Sequence, residues 1–218
     1  MPHLNADMLR KSTQTDLKDL EIGDFPIFYI DTESKLAALV RRLGASKWLA
    51  IDTEFIREKT YYPQLCLMQI ATEEFAACID PLKLKNIDLL LNIIFDDAKI
   101  KIMHAGRQDM EILFYLRESV PQNIFDTQLA APFLGYAEQI SYAALVAAIT
   151  GLKINKSQTR TDWRVRPLTS DQLIYAASDV YHLAQVYLMM YKRLEERNRL
   201  AWLEEEFSKL LAYENYVQ

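Results

Sequence analysis

"KWLAIDTEFI", residues Lys47 to Ile56, is an apolar run that carries two acids inside it and continues into Phe55 and Ile56. This pattern predicts a buried strand and not a helix. Side chains at i and i+2 of a strand share a face about 6.6 Å apart, so Asp52 and Glu54 project together while Phe55 points the other way, into core. Two carboxylates side by side on a buried strand are costly unless a cation meets them. The tetrapeptide IDTE also stands at Ile30 to Glu33. There Leu36, Leu39, Val40 and Leu43 recur at i, i+3, i+4 and i+7, which predicts an amphipathic helix capped by Thr32, with Asp31 and Glu33 at the positive end of its dipole. No internal repeat accompanies the two copies, so the duplication is coincidental.

Working outward, "PIFYI" is a short strand, and "QLCLMQIA" and "FAACID" are two more whose close spacing implies an antiparallel meander with the first stretch. A helix "NIDLLLNIIF", a strand "KIKIMH" and a helix "GRQDMEILFYL", with Met110, Leu113, Phe114 and Leu116 inward, establish an α/β order. "NIFDTQLAAPFLG" and "ISYAALVAAITG" read as two helices, the first interrupted at Pro132 and the second stopped by Gly151. A long final helix, "SDQLIYAASDVYHLAQVYLMMYKRLEERN", starts at Thr169 or Ser170. On it Tyr175 and Asp179 stand one turn apart on one face, uncrowded by Ala176 and Ala177. Asp109 opens the helix that follows "KIKIMH". Between the last two helices, "LKINKSQTRTDWRVRPLTS" carries Lys153, Lys156, Arg160, Arg164 and Arg166 against Asp162, with Trp163 among them. It is either a solvated connection or a patch that holds a polyanion, with Lys156 and Arg160 the leading candidates for contact.

The 218 residues, 50% of them hydrophobic, suit one globular domain with a sizeable core. A formal net charge of -5 leaves no global positive field, so a nucleic acid would have to meet a local patch. Cys66 and Cys78 lie in apolar runs without metal-ligand spacing and read as reduced core thiols of an intracellular protein. "MPHLNADMLRKSTQTDLKDL" lacks the apolar stretch of a signal peptide, and no run approaches the ~18 apolar residues of a membrane span. A soluble cytoplasmic protein is expected, with residues 1–24 as a polar, mobile arm or short peripheral helix and the folded domain at residues 25–212.

Together, "IDTEF…YYPQLCLMQI", "HAGRQDMEIL" and "YAASDVYHL" strongly resemble the three exonuclease motifs of the bacterial ribonuclease D family, in the tyrosine-bearing branch of the DEDD exonuclease superfamily. The resemblance runs over about residues 25 to 210 and includes "DTQLAA" and "SQTRTDWRVRPL". It implies a ribonuclease H-like exonuclease fold, α/β, with a mixed central sheet of antiparallel meander plus parallel strand flanked by helices. It further implies that Asp52 and Glu54 are the acids of the first motif, Asp109 that of the second and Asp179 that of the third, with Tyr175 orienting the attacking water. In the histidine branch a His would stand five residues before Asp179, where this chain has Ile174.

By resemblance the four acids hold two divalent ions, with Asp52 shared between them. Their all-oxygen donor set, without a nearby His or Cys, favours Mg2+ or Mn2+ over Zn2+. The implied reaction is 3'-5' hydrolysis of RNA from a single-stranded 3' end, in tRNA precursors or other small RNAs, releasing nucleoside 5'-monophosphates. His104 then supports the site or the terminal phosphate, or packs structurally, and the Phe55 backbone touches the terminal nucleotide. A nuclease for DNA or very short oligonucleotides, and a silent nucleic-acid-binding adaptor, are the competing readings. Larger ribonuclease D proteins continue into helical accessory domains, and no such domain is expected within the 218 residues, whose last stretch is "EEEFSKLLAYENYVQ". No obligate protein partner is implied.

Overall fold

The computed structural model describes residues 18–57, 62–154 and 161–217. Strand β3, Trp48–Ile56, lies within a seven-stranded mixed sheet of order β1-β2-β5-β4-β3-β6-β7. The other strands are β1 (Lys18–Ile22), β2 (Phe25–Ile30), β4 (Gln64–Ala71), β5 (Ala76–Ile79), β6 (Ile100–Met103) and β7 (Ile124–Asp126). The expected meander is present: β3 pairs antiparallel with β4, and β4 with β5. Parallel pairs β2/β5, β3/β6 and β6/β7 complete the mixed sheet.

Register decides where the sheet opens. β3 pairs with β4 from Ala50↔Ala71 to Ile56↔Gln64, with a bulge between Glu54 and Phe55. Its pairing with β6 runs only from Trp48↔Ile100 to Ala50↔Ile102. The C-terminal half of β3 therefore has a strand on one side and a cleft on the other, and Asp52 and Glu54 are in that half.

Helices cover both faces, as the apolar periodicities predict. Helix α1 (Glu33–Leu43), α2 (Asp88–Ile94) and α3 (Arg107–Arg117) pack on one face over Leu36, Leu39, Met110 and Leu113. On the other lie α4 (Thr127–Ala130), α5 (Tyr142–Thr150) and α6 (Ser170–Glu196), with α7 (Leu203–Leu211) beside them. Helix α6 begins with a capping box between Thr169 and Gln172, and its 27 residues run for about 40 Å. Ala176 and Ala177 are buried beneath it, so the helix backbone sits close to the sheet. Thr32 caps α1, its hydroxyl accepting from the Lys35 amide at 3.4 Å, as read from the first IDTE copy.

Two readings need correction. The expected arm at residues 1–24 is not an arm throughout: Lys18–Ile22 is an edge strand, paired with β2 from Lys18↔Phe28 to Ile22↔Phe25. Gly23, at φ 58, turns the chain between them, so Gly23-Asp24 is a hairpin turn and not the end of a tail. Residues 1–17 lie outside the described residues. "NIFDTQLAAPFLG" is not a single interrupted helix either. Ile124–Asp126 forms β7, Thr127–Ala130 a single helical turn and Ala131–Leu134 a 3-10 turn. Among the described residues no helix is long and apolar enough to cross a membrane.

Candidate active site

At the open half of β3, Asp52, Glu54 and Asp179 each offer a carboxylate oxygen, and these oxygens lie within 4.8 Å of one another. The strand supplies the first two at i and i+2, and α6 supplies the third from the helix packed over that face. Asp109, in the first turn of α3, comes from the other side of the cleft. Its carboxylate accepts the Thr53 hydroxyl at 2.5 Å and is itself buried. The structure thus brings three of the four sequence-predicted acids into one cluster and sets the fourth beside them.

Burial, and after it mutual repulsion, dominates the electrostatics. Burial first, then Asp52, Asp179 and Asp109, push the Glu54 carboxyl up to about 9. Asp109 and Asp179 are each raised to about 8, by burial and then by the charge on Asp52. Burial raises Asp52 itself to about 6. An ionised Asp52 among three acids that hold their protons at neutral pH, with oxygen donors only, forms a site that a hard divalent cation fits. The Tyr175 phenol is bonded to the Asp179 carboxylate, and burial followed by the charges of Asp179 and Glu54 raises it far above its usual range.

This electrostatic pattern has a measurable sign. The unfolded chain releases its carboxyl protons by about pH 5. The folded site keeps several of them to about 8 or 9. Folding therefore takes up protons in that window, and the metal-free protein should melt at progressively lower temperature as pH rises from about 5 to about 9. Mg2+ or Mn2+ should raise the melting temperature most at the alkaline end. Melting insensitive both to pH in this range and to millimolar ion would exclude the cluster as a cation site.

Other residues brace or border the acids, and sequence reasoning missed them. Asp126, almost wholly buried, accepts the Ala105 and Gly106 amides at 3.1 and 2.8 Å and caps α4 through Gln128 and Leu129. It ties down the turn that launches α3 and therefore Asp109. That turn admits only glycine at Gly106, where an added Cβ would lie 2.7 Å from the Met103 Cβ. The Tyr142 hydroxyl donates to the Asp179 carbonyl and pins α5 to α6. Gln69 stands opposite Asp52 in the β3/β4 register, fully buried, and its amide has no partner among the described residues. Local signals were faint: an acid before a short helix for Asp126, and none for Tyr142 or Gln69.

His104 follows β6, with Nδ1 2.9 Å from the Thr127 hydroxyl and its ring 5.3 Å from that of Tyr142. The Thr127 hydroxyl also lies 3.1 Å from the Met103 carbonyl, so it links the His104 ring to the end of β6. Burial keeps this imidazole neutral by lowering its pKa. Phe55 packs into the core of the α1 to α3 face, opposite the acids, as the strand alternation predicts.

Part of the basic loop is committed within the fold. Arg166 turns inward, with Nε 2.6 Å and Nη2 2.8 Å from the buried Asp80 carboxylate. Arg164 pairs with Asp162 at 2.9 Å. Arg166 is therefore committed to an internal acid, whereas Arg164 and Asp162 form a pair at the surface, each 45% exposed. Trp163 between them is buried and faces Tyr175, ring centroids 6.4 Å apart. Lys156 and Arg160 lie outside the described residues.

The chain matches the 3'-5' exonuclease family over residues 27–195. It is 43% identical over 183 residues to the ribonuclease D of Gluconacetobacter diazotrophicus, covering 83% of this chain and 46% of that one. It spans about half the length of the curated relatives it matches. Among solved structures, that of Escherichia coli RNase D, an exoribonuclease involved in structured RNA processing, matches with a TM-score of 0.83 and 34% identity, over 89% of this chain and 52% of that one. Brucella melitensis NrnC bound to pGG matches with a TM-score of 0.72 and 26% identity, over 87% of this chain and 92% of that one.

Proposed function

This chain belongs to the 3'-5' exonuclease family, and on that premise we propose that it hydrolyses RNA from a single-stranded 3' end, releasing nucleoside 5'-monophosphates. The observation that carries this reading is the convergence of Asp52, Glu54 and Asp179 at the open half of β3, with Asp109 beside them. Asp52, Glu54, Asp109 and Asp179 would hold two divalent ions, Mg2+ or Mn2+, which when bound supply charge neutralisation at the phosphodiester and a more acidic water. The match to Escherichia coli RNase D, an exoribonuclease involved in structured RNA processing, supports structured RNA as the substrate class; within it we propose tRNA precursors or other small RNAs, met in the cytoplasm.

Tyr175 has a narrower task. Its raised pKa keeps the phenol protonated, so it is not a base. With that proton engaged by Asp179, the phenol oxygen can accept from a water and fix its direction of approach. Tyr175→Phe keeps the ring beside Trp163 but removes that oxygen. We expect turnover to fall about 10²-fold with little change in KM. Wild-type turnover at saturating substrate and ion would reduce Tyr175 to a packing residue. The same scheme leaves His104 to steady the turn before Asp109 and the Phe55 backbone to meet the terminal nucleotide.

A second reading, a nuclease for short oligonucleotides, is favoured by the match to NrnC bound to pGG, which extends over most of both chains. One experiment separates the two: end-labelled RNA, single-stranded DNA and a dinucleotide are incubated with and without Mn2+. A ladder shortening from the RNA 3' end only with the ion supports the first reading. Turnover of the dinucleotide alone supports the second, and ion-independent or internal cleavage sinks both.

A further inference from the structure

Tyr62, just before β4, and Tyr115, on the outer face of α3, stack with ring centroids 4.5 Å apart and an interplanar angle of 22°. Despite the stacking, the two residues remain 53% and 52% exposed. They form part of the wall shared by two cavities of about 860 and 590 Å3. The smaller cavity is also lined by Arg57, Phe114, Tyr213 and Tyr216. The elements that carry this pair are the ones that carry the acids: β3 leads from Asp52 and Glu54 into the hairpin, and α3 holds Asp109 in its first turn.

Charge along the way is suited to a phosphate backbone. Arg107, Glu111 and Tyr115 follow one another at i, i+4 and i+8 on a single stripe of α3. Arg57 Nη2 lies 2.6 Å from Glu111, and Arg107 Nε lies 4.0 Å from it, so two guanidiniums face one carboxylate. Both remain open to solvent, at 43% and 62% of their side-chain surface. From Arg107 to Tyr115 the helix rises about 12 Å, leading from the first turn, where Asp109 lies, out to the aromatic pair.

We infer that Tyr62 and Tyr115 form a second subsite, one that stacks an unpaired base of the RNA strand upstream of the scissile phosphate, with Arg107 and Arg57 holding the backbone between. The inference rests on the exonuclease reading for its direction, 3' end at the acids. Stacking on an aromatic platform is tolerant of sequence because every base has a π face, so the subsite grips strand length and not sequence.

The test compares Tyr62→Ala, Tyr115→Ala and Tyr115→Trp with the wild-type protein on a dinucleotide and on octaadenylate. For the alanine variants, KM for octaadenylate should rise roughly 10- to 100-fold at unchanged kcat, while dinucleotide kinetics stay as in wild type. Tyr115→Trp should restore the octaadenylate KM. Equal losses on both substrates would make the pair a structural pin, and unchanged kinetics on both would leave it without a role; either overturns the inference. Binding of fluorescent octaadenylate in metal-free buffer reads the subsite without hydrolysis, so a protein that binds with the same variant dependence but cuts nothing would sink the exonuclease reading and keep the subsite.

Discussion

Asp52→Asn is expected to lower hydrolysis of end-labelled RNA by about 10³-fold, the rate equivalent of several kcal/mol of lost transition-state stabilisation, while melting no lower than wild type without metal. The two outcomes have one cause. Asp52 contributes to the rise in Glu54, Asp109 and Asp179, so a neutral isostere relieves repulsion in the empty site while removing the donor shared by the ions. The metal-induced gain in melting temperature should shrink in parallel. The first IDTE copy provides the control, because Asp31 pairs with Lys35 at 3.2 Å and Lys83 at 3.5 Å, and Glu33 accepts the Lys85 amide at 2.8 Å. Asp31→Asn/Glu33→Gln should lose no more than about 1 kcal/mol of stability at the α1 start and no turnover. An Asp52→Asn protein with more than a tenth of wild-type activity, or a double variant as inactive as Asp52→Asn, would break the distinction between the copies.

What the sequence made legible was local. An apolar run with acids at i and i+2 has one sensible geometry, and so do a tyrosine and an aspartate at i and i+4 over two alanines. The capping of α1 by Thr32 and the meander from β3 to β5 follow from the same short-range periodicities. The missed features depend on partners far along the chain. β1 is polar and short, and is a strand because β2 offers an edge at the right distance after a glycine turn. β7 has three residues and no periodicity of its own, and exists as the next parallel strand after β6. Asp126 takes its meaning from amides about 20 residues away, and Gln69 from its place opposite Asp52. Charge counting could not show that Arg166 of the basic loop is the partner of a buried acid, since Arg166 and Asp80 are 86 residues apart and nothing near either one points to the other.

Arg166→Met is expected to destabilise the protein by about 3–5 kcal/mol, because it removes one partner of a buried ion pair and leaves the other. Asp80 is completely buried at the end of β5, and receives Nε and Nη2 of Arg166 as well as the Tyr29 hydroxyl at 2.5 Å and the Leu82 amide at 3.1 Å. The guanidinium also donates to the Trp163 carbonyl at 2.6 Å and the Cys66 carbonyl at 2.7 Å, so it clamps the end of the basic loop to β4 and β5 together. Burial opposes the charge on Asp80, but the hydrogen bonds from Arg166 and Tyr29 outweigh it and hold the carboxyl below its ordinary range. That depressed pKa contributes stability above about pH 4, which fades as pH falls through the folded-state value. Without the guanidinium the sign reverses: a buried, uncompensated Asp80 keeps its proton, and the folded state weakens as pH rises above about 4. The gap between variant and wild type should therefore widen from pH 4 to 7 and narrow in acid. Asp80→Asn/Arg166→Met should regain part of the loss, since no charge is then stranded. Turnover should fall as well, because Trp163 loses its anchor and with it the ring that backs Tyr175. An Arg166→Met protein that melts within about 0.5 kcal/mol of wild type at pH 7 would show that the clamp is a surface pair of no consequence.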